Sequence, residues 1–301
     1  MKIFHLASAA LALALTAGAA SAQTKACTPI PPGKIGLQLY SVRQVLTPKP
    51  PLRGVTPAGR IDEVFGGLNK MGYRYAERFS GTFGQPLEIY EDLADRNGLA
   101  MVGSHDELTP ANWGRMLDNA KALHQRYIGS GTFGNPGLKT LEDTLKTAEN
   151  LNVLGKAAAA RGLKFYVHNH EAEFSTKYSY DLKKTGHPEM VSAWEIIAAN
   201  TNPKWVHFEI DIHWARRGIG LDHPEDLYAF LRKHRSRIEL LHVKDTAPNG
   251  DFADLGQGTT DWPAVFRAAG PQIRWYLWER DTSPNPMQSA QIAYRYLRCQ
   301  R

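Results

Sequence analysis

Short apolar, β-branched or aromatic runs alternate with longer amphipathic segments along this chain. The alternation predicts an α/β protein of the (β/α)8 TIM barrel class, a single domain after an N-terminal signal peptide. Two further observations point the same way. There are eight such runs, and their starts at residues 35, 73, 99, 127, 164, 206, 239 and 274 lie 26 to 42 residues apart, enough for one strand, one helix and two loops. No run is followed by the G-x-G-x-x-G turn that would favour the alternative, a doubly wound open sheet.

The opening MKIFHLASAALALALTAGAASA carries a basic Lys2, an apolar run from about Leu6 to Leu15 and the small triplet Ala20, Ser21, Ala22. That is the make-up of a secretory signal peptide cleaved after Ala22. The run is shorter than the ~20 residues of a membrane span. The expected product is therefore exported, periplasmic or secreted, with no membrane span after cleavage; an uncleaved anchor is the alternative. Residues 23–33 form a short tail and residues 34–301 the barrel domain.

The first strand is IGLQLY (35–40), and the Pro-rich TPKPPLRGVTP (47–57) after it is an extended loop on the face where barrel enzymes work. A helix at IDEVFGGLNKM (61–71) leads to strand two, YRYAE (73–77), and then to strand three, LAMVG (99–103). The helix PANWGRMLDNAKALH precedes strand four, YIGS (127–130), and LEDTLKTAENLNVLGKAAAARG precedes strand five, KFYVH (164–168). The helix PEMVSAWEIIAAN (188–200) precedes strand six, VHFEID (206–211), and PEDLYAFLRKH precedes strand seven, ELLHV (239–243). DWPAVFRAAG precedes strand eight, RWYLWE (274–279), and PMQSAQIAYRYLR closes the chain. Several helices open with Pro or Asp and close with Gly or Asn, residues suited to the free amides of a first turn and the left-handed backbone after a last one.

Removing 22 of 301 residues leaves 279, a length that α/β barrels reach undivided. The net charge of +6 falls to +5 without Lys2, and the basic residues are scattered, which describes a solvated surface with no nucleic-acid partner. The two cysteines, Cys27 and Cys299, sit near the two ends. Spacing alone leaves both a closing disulfide and two unpaired thiols open. In a closed barrel, however, strand eight pairs with strand one, so both tails emerge on neighbouring elements, and export supplies an oxidising compartment. A disulfide tying the ends is expected.

In such a barrel the C-terminal ends of the strands converge on one mouth, and four consecutive ends carry metal-capable groups. Strand five runs into His168, His170, Glu171 and Glu173; strand six ends at Asp211, followed by His213; strand seven holds His242, with Lys244 and Asp245 beyond; strand eight stops at Glu279. Glu173, Asp211, His242 and Glu279 are separated by 38, 31 and 37 residues, about one barrel unit each. A lone Asp at a strand end is usually a helix cap and a lone buried His a satisfied core residue. Several like charges buried in one mouth are different, because their desolvation is costly unless a cation offsets it.

The segments IGLQLYSVR (35–43), YRYAERFSG (73–81), GLKFYVHNHEAEF (162–174), FEIDIHW (208–214), LLHVKD (240–245), LGQGTTDW (255–262) and YLWERD (276–281) resemble the sugar phosphate isomerase/epimerase family of xylose isomerase-like TIM barrels. The resemblance covers nearly all of the mature chain. It implies one divalent cation, Mn2+ first among Mn2+, Mg2+, Co2+ and Zn2+, held by Glu173, Asp211, His242 and Glu279. Ketose epimerases place a glutamate directly at the strand-five end, where this sequence has His168. Glu173 is favoured as that ligand, with His168 and His170 as second choices or as acid/base groups.

Such a site suits proton abstraction next to a carbonyl through an enediolate intermediate. The candidate catalytic residues are His170, Glu173 and Glu279, with Lys244 as an electrostatic partner. His168, His105, Trp214, His213 and Tyr40 are the candidate substrate-binding residues. Trp262, Trp275 and Trp278 could add to a stacking face, although core packing is the commoner role for any one of them.

Phosphorylated sugars are mostly cytoplasmic metabolites, so an exported protein is expected to take an unphosphorylated sugar or keto-sugar as a metal-dependent isomerase or epimerase. The alternatives are a 3-keto-glycoside lyase or hydratase working by β-elimination, an endonuclease IV-like phosphodiesterase, and a catalytically inactive carbohydrate-binding barrel. The partner is a small carbohydrate, and a homo-oligomer is compatible with everything above.

Overall fold

The computed structural model describes residues 27–79 and 81–300. The expected signal peptide and its cleavage point lie outside the described residues. The eight barrel strands are β1 (Ile35–Gln38), β2 (Tyr75–Phe79), β3 (Ala100–His105), β4 (Tyr127–Ser130), β5 (Lys164–His168), β6 (Val206–Asp211), β7 (Ile238–Val243) and β8 (Trp275–Trp278). They are all parallel, and β1 pairs with both β2 and β8, which closes the barrel. Every strand expected from the sequence is present, displaced by no more than a few residues.

The helices of eight or more residues are α1 (Pro57–Met71), α2 (Leu87–Arg96), α3 (Pro110–Ala122), α4 (Leu141–Ala160), α5 (Ala193–Asn200), α6 (Ile212–Ile219), α7 (Pro224–His234), α8 (Trp262–Ala269) and α9 (Pro286–Leu297). The expectation that a helix begins at residue 188 is corrected. Glu189–Ser192 is a strand, antiparallel to Lys177–Tyr180, and the Ser192 hydroxyl accepts from the Glu195 amide, so α5 starts at Ala193. Two helices went unmarked in the sequence. α2 buries only Tyr90, Leu93 and Ala94, and α6 begins directly at the end of β6 with no turn residue between them.

Two apolar layers hold the fold. The outer one lies between strands and helices and contains Trp262 and Trp278, whose fully buried rings are removed from any substrate face. The inner one, Val102, Tyr127, Tyr166, Leu240 and Leu277, fills the lower barrel above Tyr75 and Trp275, whose ring centroids are 4.5 Å apart. Each such side chain contributes about 1.5–3 kcal/mol by leaving water. Glycine is needed where strands approach closely: a Cβ on Gly129 would lie 2.4 Å from the Tyr166 carbonyl oxygen.

The LGQGTTDW segment is organised by one carboxylate. Asp245, buried after β7, accepts the backbone amides of Thr246 (2.8 Å) and Thr260 (3.3 Å) on Oδ1, and of Gly256 (2.9 Å) and Gly258 (3.1 Å) on Oδ2. A Cβ on Gly258 would stand 2.3 Å from Asp245 Oδ1. Gly258→Ala is therefore expected to cost about 2–3 kcal/mol, through overpacking and loss of these hydrogen bonds. Urea unfolding should show a lower midpoint at unchanged slope.

Cys27 and Cys299 form the expected disulfide, with Cα atoms 5.9 Å apart. The tail after Cys27 is also tied to the end of α9, by Ile30 N–H to the Leu297 carbonyl (2.8 Å) and by the Arg298 guanidinium to the Ile30 carbonyl (2.7 Å). Among the described residues no helix is long and apolar enough to cross a membrane.

Candidate metal and active site

The site follows from the two-residue period of the strands. On β2, β5, β7 and β8 an inward floor residue, Tyr75, Tyr166, Leu240 or Leu277, is followed two positions later by Glu77, His168, His242 or Glu279. One step toward the mouth thus changes the interior from apolar to ionisable. β6 contributes at two levels, Glu209 and then Asp211. The turn after β5 is clamped by Asn169, whose side chain accepts from the Asp211 amide (3.0 Å) and donates to the Asp211 carbonyl (3.3 Å).

The buried His242 ring faces carboxylates on both sides. Its Nδ1 lies 2.8 Å from Glu279 Oε2, and its Nε2 lies 2.8 Å from Glu77 Oε2 and 3.0 Å from Glu209 Oε2. Burial disfavours its charged form, but Glu209, Glu279 and Glu77 outweigh that and raise its pKa well above the usual range. Lys244 Nζ lies 2.8 Å from Asp211 Oδ2, 2.7 Å from Glu279 Oε2 and 2.8 Å from Asp281 Oδ1. Those carboxylates overcome its burial and keep it an ammonium. Glu279 is held below the usual carboxylate range: burial pushes it up, and Lys244 and His242 pull it further down. Burial pushes Asp211 up to about 7, with Glu279 adding to the shift.

His168, Asp211, His242 and Glu279 each bring one ligand atom within 4.8 Å of the others. Two ligands at ~2.1 Å from one ion can stand at most ~4.2 Å apart, so a small contraction makes the set a coordination shell. Two imidazoles and two carboxylates suit Mn2+, Co2+ or Zn2+. Asp211 Oδ2 is buried against the Lys244 ammonium at 2.8 Å, and a carboxylate oxygen has a second lone pair to offer a cation. The residues present fit a divalent ion.

A model of the xylose isomerase-like TIM barrel family matches residues 68–272, about two thirds of the chain. The chain belongs to that family. An inosose dehydratase of Lactiplantibacillus plantarum is 27% identical over 177 residues, 51% of this chain and 53% of that protein. The chain thus spans about half the length of the curated relative it matches. A sugar phosphate isomerase/epimerase from Parabacteroides distasonis superposes with a TM-score of 0.67 at 23% identity, covering 91% of this chain and 97% of that one. A 3-keto-D-glucoside 4-epimerase from E. coli gives 0.56 at 18% identity, covering 88% and 99%. At these identities the structures share the fold.

Within this barrel the residues singled out in the sequence separate into groups. Asp211, His242 and Glu279 come together as expected, and His168 completes the set in the place expected for Glu173. The Glu173 carboxylate is instead turned back on its own loop, where Oε2 accepts from the His170 amide (2.7 Å), and burial raises its pKa. Asp211 is also an ordinary helix cap, since its Oδ1 accepts from the Trp214 amide (2.9 Å) at the start of α6. His170 stands beside the cluster, its ring centroid 5.1 Å from His168 and 5.6 Å from Trp214. Burial, reinforced by Lys244, lowers its pKa to about 4 and leaves it a neutral base at pH 7.

His105 reaches the cluster from β3, with Nε2 2.8 Å from Glu209 Oε2 and 3.3 Å from Glu77 Oε2. His213 is fully buried with Nδ1 against Thr246 Oγ1 (2.9 Å). Tyr40 is half-buried against Phe79 and under the Arg43 guanidinium. Sequence reasoning missed Glu77 and Glu209. The signal for Glu209 was its position two residues before Asp211, on the same strand face. Glu77 is held from below by Tyr166 and from the side by Gln38, whose Nε2 donates to Oε2 (2.6 Å).

Proposed function

We propose that this protein is an enzyme that removes a proton next to the carbonyl of an unphosphorylated sugar or keto-sugar, with epimerisation or isomerisation as the net reaction. The observation that carries this reading is the His168, Asp211, His242 and Glu279 cluster with the neutral His170 imidazole beside it. A divalent cation held there, Mn2+ first among the candidates, would polarise a carbonyl and stabilise the negative charge that deprotonation creates. His170 takes the proton, Lys244 keeps positive charge beside Glu279 and Asp211, and the Trp214 ring offers a face for a sugar's C–H groups. An unphosphorylated substrate follows from the export proposed below, because phosphorylated sugars are mostly cytoplasmic metabolites.

Elimination is the second reading, favoured by the dehydratase relative. It shares the first proton transfer and differs in losing a neighbouring oxygen substituent. Incubation with Mn2+ and a panel of free and 3-keto sugars and glycosides in D2O separates the two. Epimerisation or isomerisation conserves the carbon skeleton and all its oxygens while deuterium enters at the reacting carbon; elimination releases water, an aglycone or a second sugar. Absence of both turnover and exchange across the panel would overturn the proposal.

His170→Gln is expected to lower kcat by about 10²- to 10⁴-fold while leaving metal content and melting temperature nearly unchanged. Loss of metal in that variant would make His170 a ligand, and unaltered turnover would remove it from the chemistry. We also propose export, which the disulfide supports because such bonds persist in oxidising compartments.

A further inference from the structure

We propose that the N-terminal face of the barrel, opposite the mouth, is a docking surface for an anionic lipid bilayer. The bases that lie scattered along the sequence are gathered there by the topology. The eight strands are parallel, so the segments that lead into them share one face. Five strands are entered directly from a base: Lys34 precedes β1, Arg74 β2, Arg126 β4, Arg237 β7 and Arg274 β8. Arg161, Lys204 and Arg235 stand in the segments before β5, β6 and β7. Among the described residues the eight segments, 27–34, 72–74, 97–99, 123–126, 161–163, 201–205, 235–237 and 270–274, hold these eight bases and no Asp or Glu. At the whole chain's ratio of 36 Lys and Arg to 30 Asp and Glu, about seven acids would accompany them.

Six of these bases, Arg74, Arg126, Arg161, Lys204, Arg235 and Arg274, are exposed. Arg161 pairs with Asp118, and Arg74 donates to the Asn69 and Tyr73 carbonyls at 2.8 Å. The side chains of Arg126, Lys204, Arg235 and Arg274 make no hydrogen bond or ion pair among the described residues. Helix dipoles do not account for them. A base in the last turn of a helix complements the free carbonyls there, and Lys70 on α1, Arg96 on α2, Lys121 on α3, Arg232 on α7 and Arg267 on α8 already fill that place. The helices run back to the same face, so these bases add to its positive charge.

The shape of the face selects the partner. From β2 to β8 each entering segment between helix and strand is three to five residues long, so no loop projects and the bases lie in one shallow layer. A layer of separated cations fits a plane of phosphodiester headgroups, whereas a linear polyanion is held in a groove. Docking by this face turns the opposite end, with Asp211, Glu279 and Asp281, away from the bilayer. The mouth then stays open to a dissolved substrate. Nothing in this inference depends on which reaction the mouth performs.

Cosedimentation of the full chain with vesicles tests the proposal, using phosphatidylcholine alone and phosphatidylcholine with about one third phosphatidylglycerol. Wild type is expected to bind the anionic vesicles at least about tenfold more tightly, and to lose that preference at about 0.5 M NaCl, where screening is short-ranged. The combined variant Arg126→Gln, Lys204→Gln, Arg235→Gln and Arg274→Gln is expected to bind them about 100-fold more weakly, since each base beside an anionic surface contributes about fivefold. The combined variant Lys49→Gln, Arg53→Gln, Lys139→Gln and Lys177→Gln removes the same charge from exposed positions after β1, β4 and β5, at the mouth end, and is expected to bind like wild type. Melting temperatures identify folded variants, and Arg126→Gln with Arg274→Gln serves if the first combination does not fold. Equal binding to both vesicle types overturns the proposal by removing its dependence on charge. Equal loss in both variants overturns it by making net charge the cause. Retention on polygalacturonate, with no binding to anionic vesicles, overturns it in favour of an acidic polysaccharide.

Discussion

Asp211→Asn is expected to lower kcat/KM by about a thousandfold or more, with little change in melting temperature. The variant removes from the His168, Asp211, His242 and Glu279 cluster a buried carboxylate charge, whose Oδ2 faces the Lys244 ammonium at 2.8 Å. About 4 kcal/mol of lost transition-state charge stabilisation corresponds to that factor. The fold should survive, because the Asn carbonyl can still accept the Trp214 amide that Asp211 Oδ1 now caps. Lys244 also keeps Glu279 and Asp281 as partners. Metal content measured beside steady-state kinetics checks the result. A variant that keeps its full metal complement and full activity would place the chemistry elsewhere.

Replacing both Cys27 and Cys299 by Ser is expected to destabilise the protein by roughly 4 to 5 kcal/mol, lowering the melting temperature by about 10 to 20 °C. The bond closes a loop spanning 272 positions, and its main effect in the chain-entropy model is to restrict the unfolded chain. The hydrogen bonds of Ile30 and Arg298 remain in the variant and keep the tail beside α9, so the loss is smaller than full detachment of that segment would bring. Wild type should lose the same increment on adding reductant, and the Ser variant should be indifferent to it. Mass spectrometry of the unreduced protein should show a linked pair of terminal peptides. Two freely alkylatable thiols, or a melting temperature insensitive to reductant, would contradict this account.

The barrel was legible because each parallel strand is covered on both sides and therefore reads as an apolar run, as in IGLQLY and VHFEID. Helices with clear start signals were legible too, for example α3 and α9, each opened by Pro. α6 was not, because Asp211 is at once the last residue of β6 and the cap of the helix. Residues 188–192 read as the start of a helix because Pro188 supplies a start signal, whereas pairing with Lys177–Tyr180 makes them a strand.

Asp211, His242 and Glu279 were placed together by the sequence alone, since each stands at the C-terminal end of its strand and the parallel strands of a closed barrel end on one mouth. The pairing of Cys27 with Cys299 followed from the same closure, which brings the first and last strands together. The strand-five member of the cluster needed the tertiary structure. The two-residue alternation that aims His168 inward stops where β5 stops, and beyond it the backbone turns, leaving Glu173 to bind the amide of His170. Glu77 and Glu209 were likewise decided only in three dimensions. An acid inside a strand run carries no local sign of its partners, and theirs arrive from other strands, with His105 and His242 more than 25 positions away from either. Position at a strand end reports height in the barrel, but which side chains meet across its mouth depends on closure of the ring.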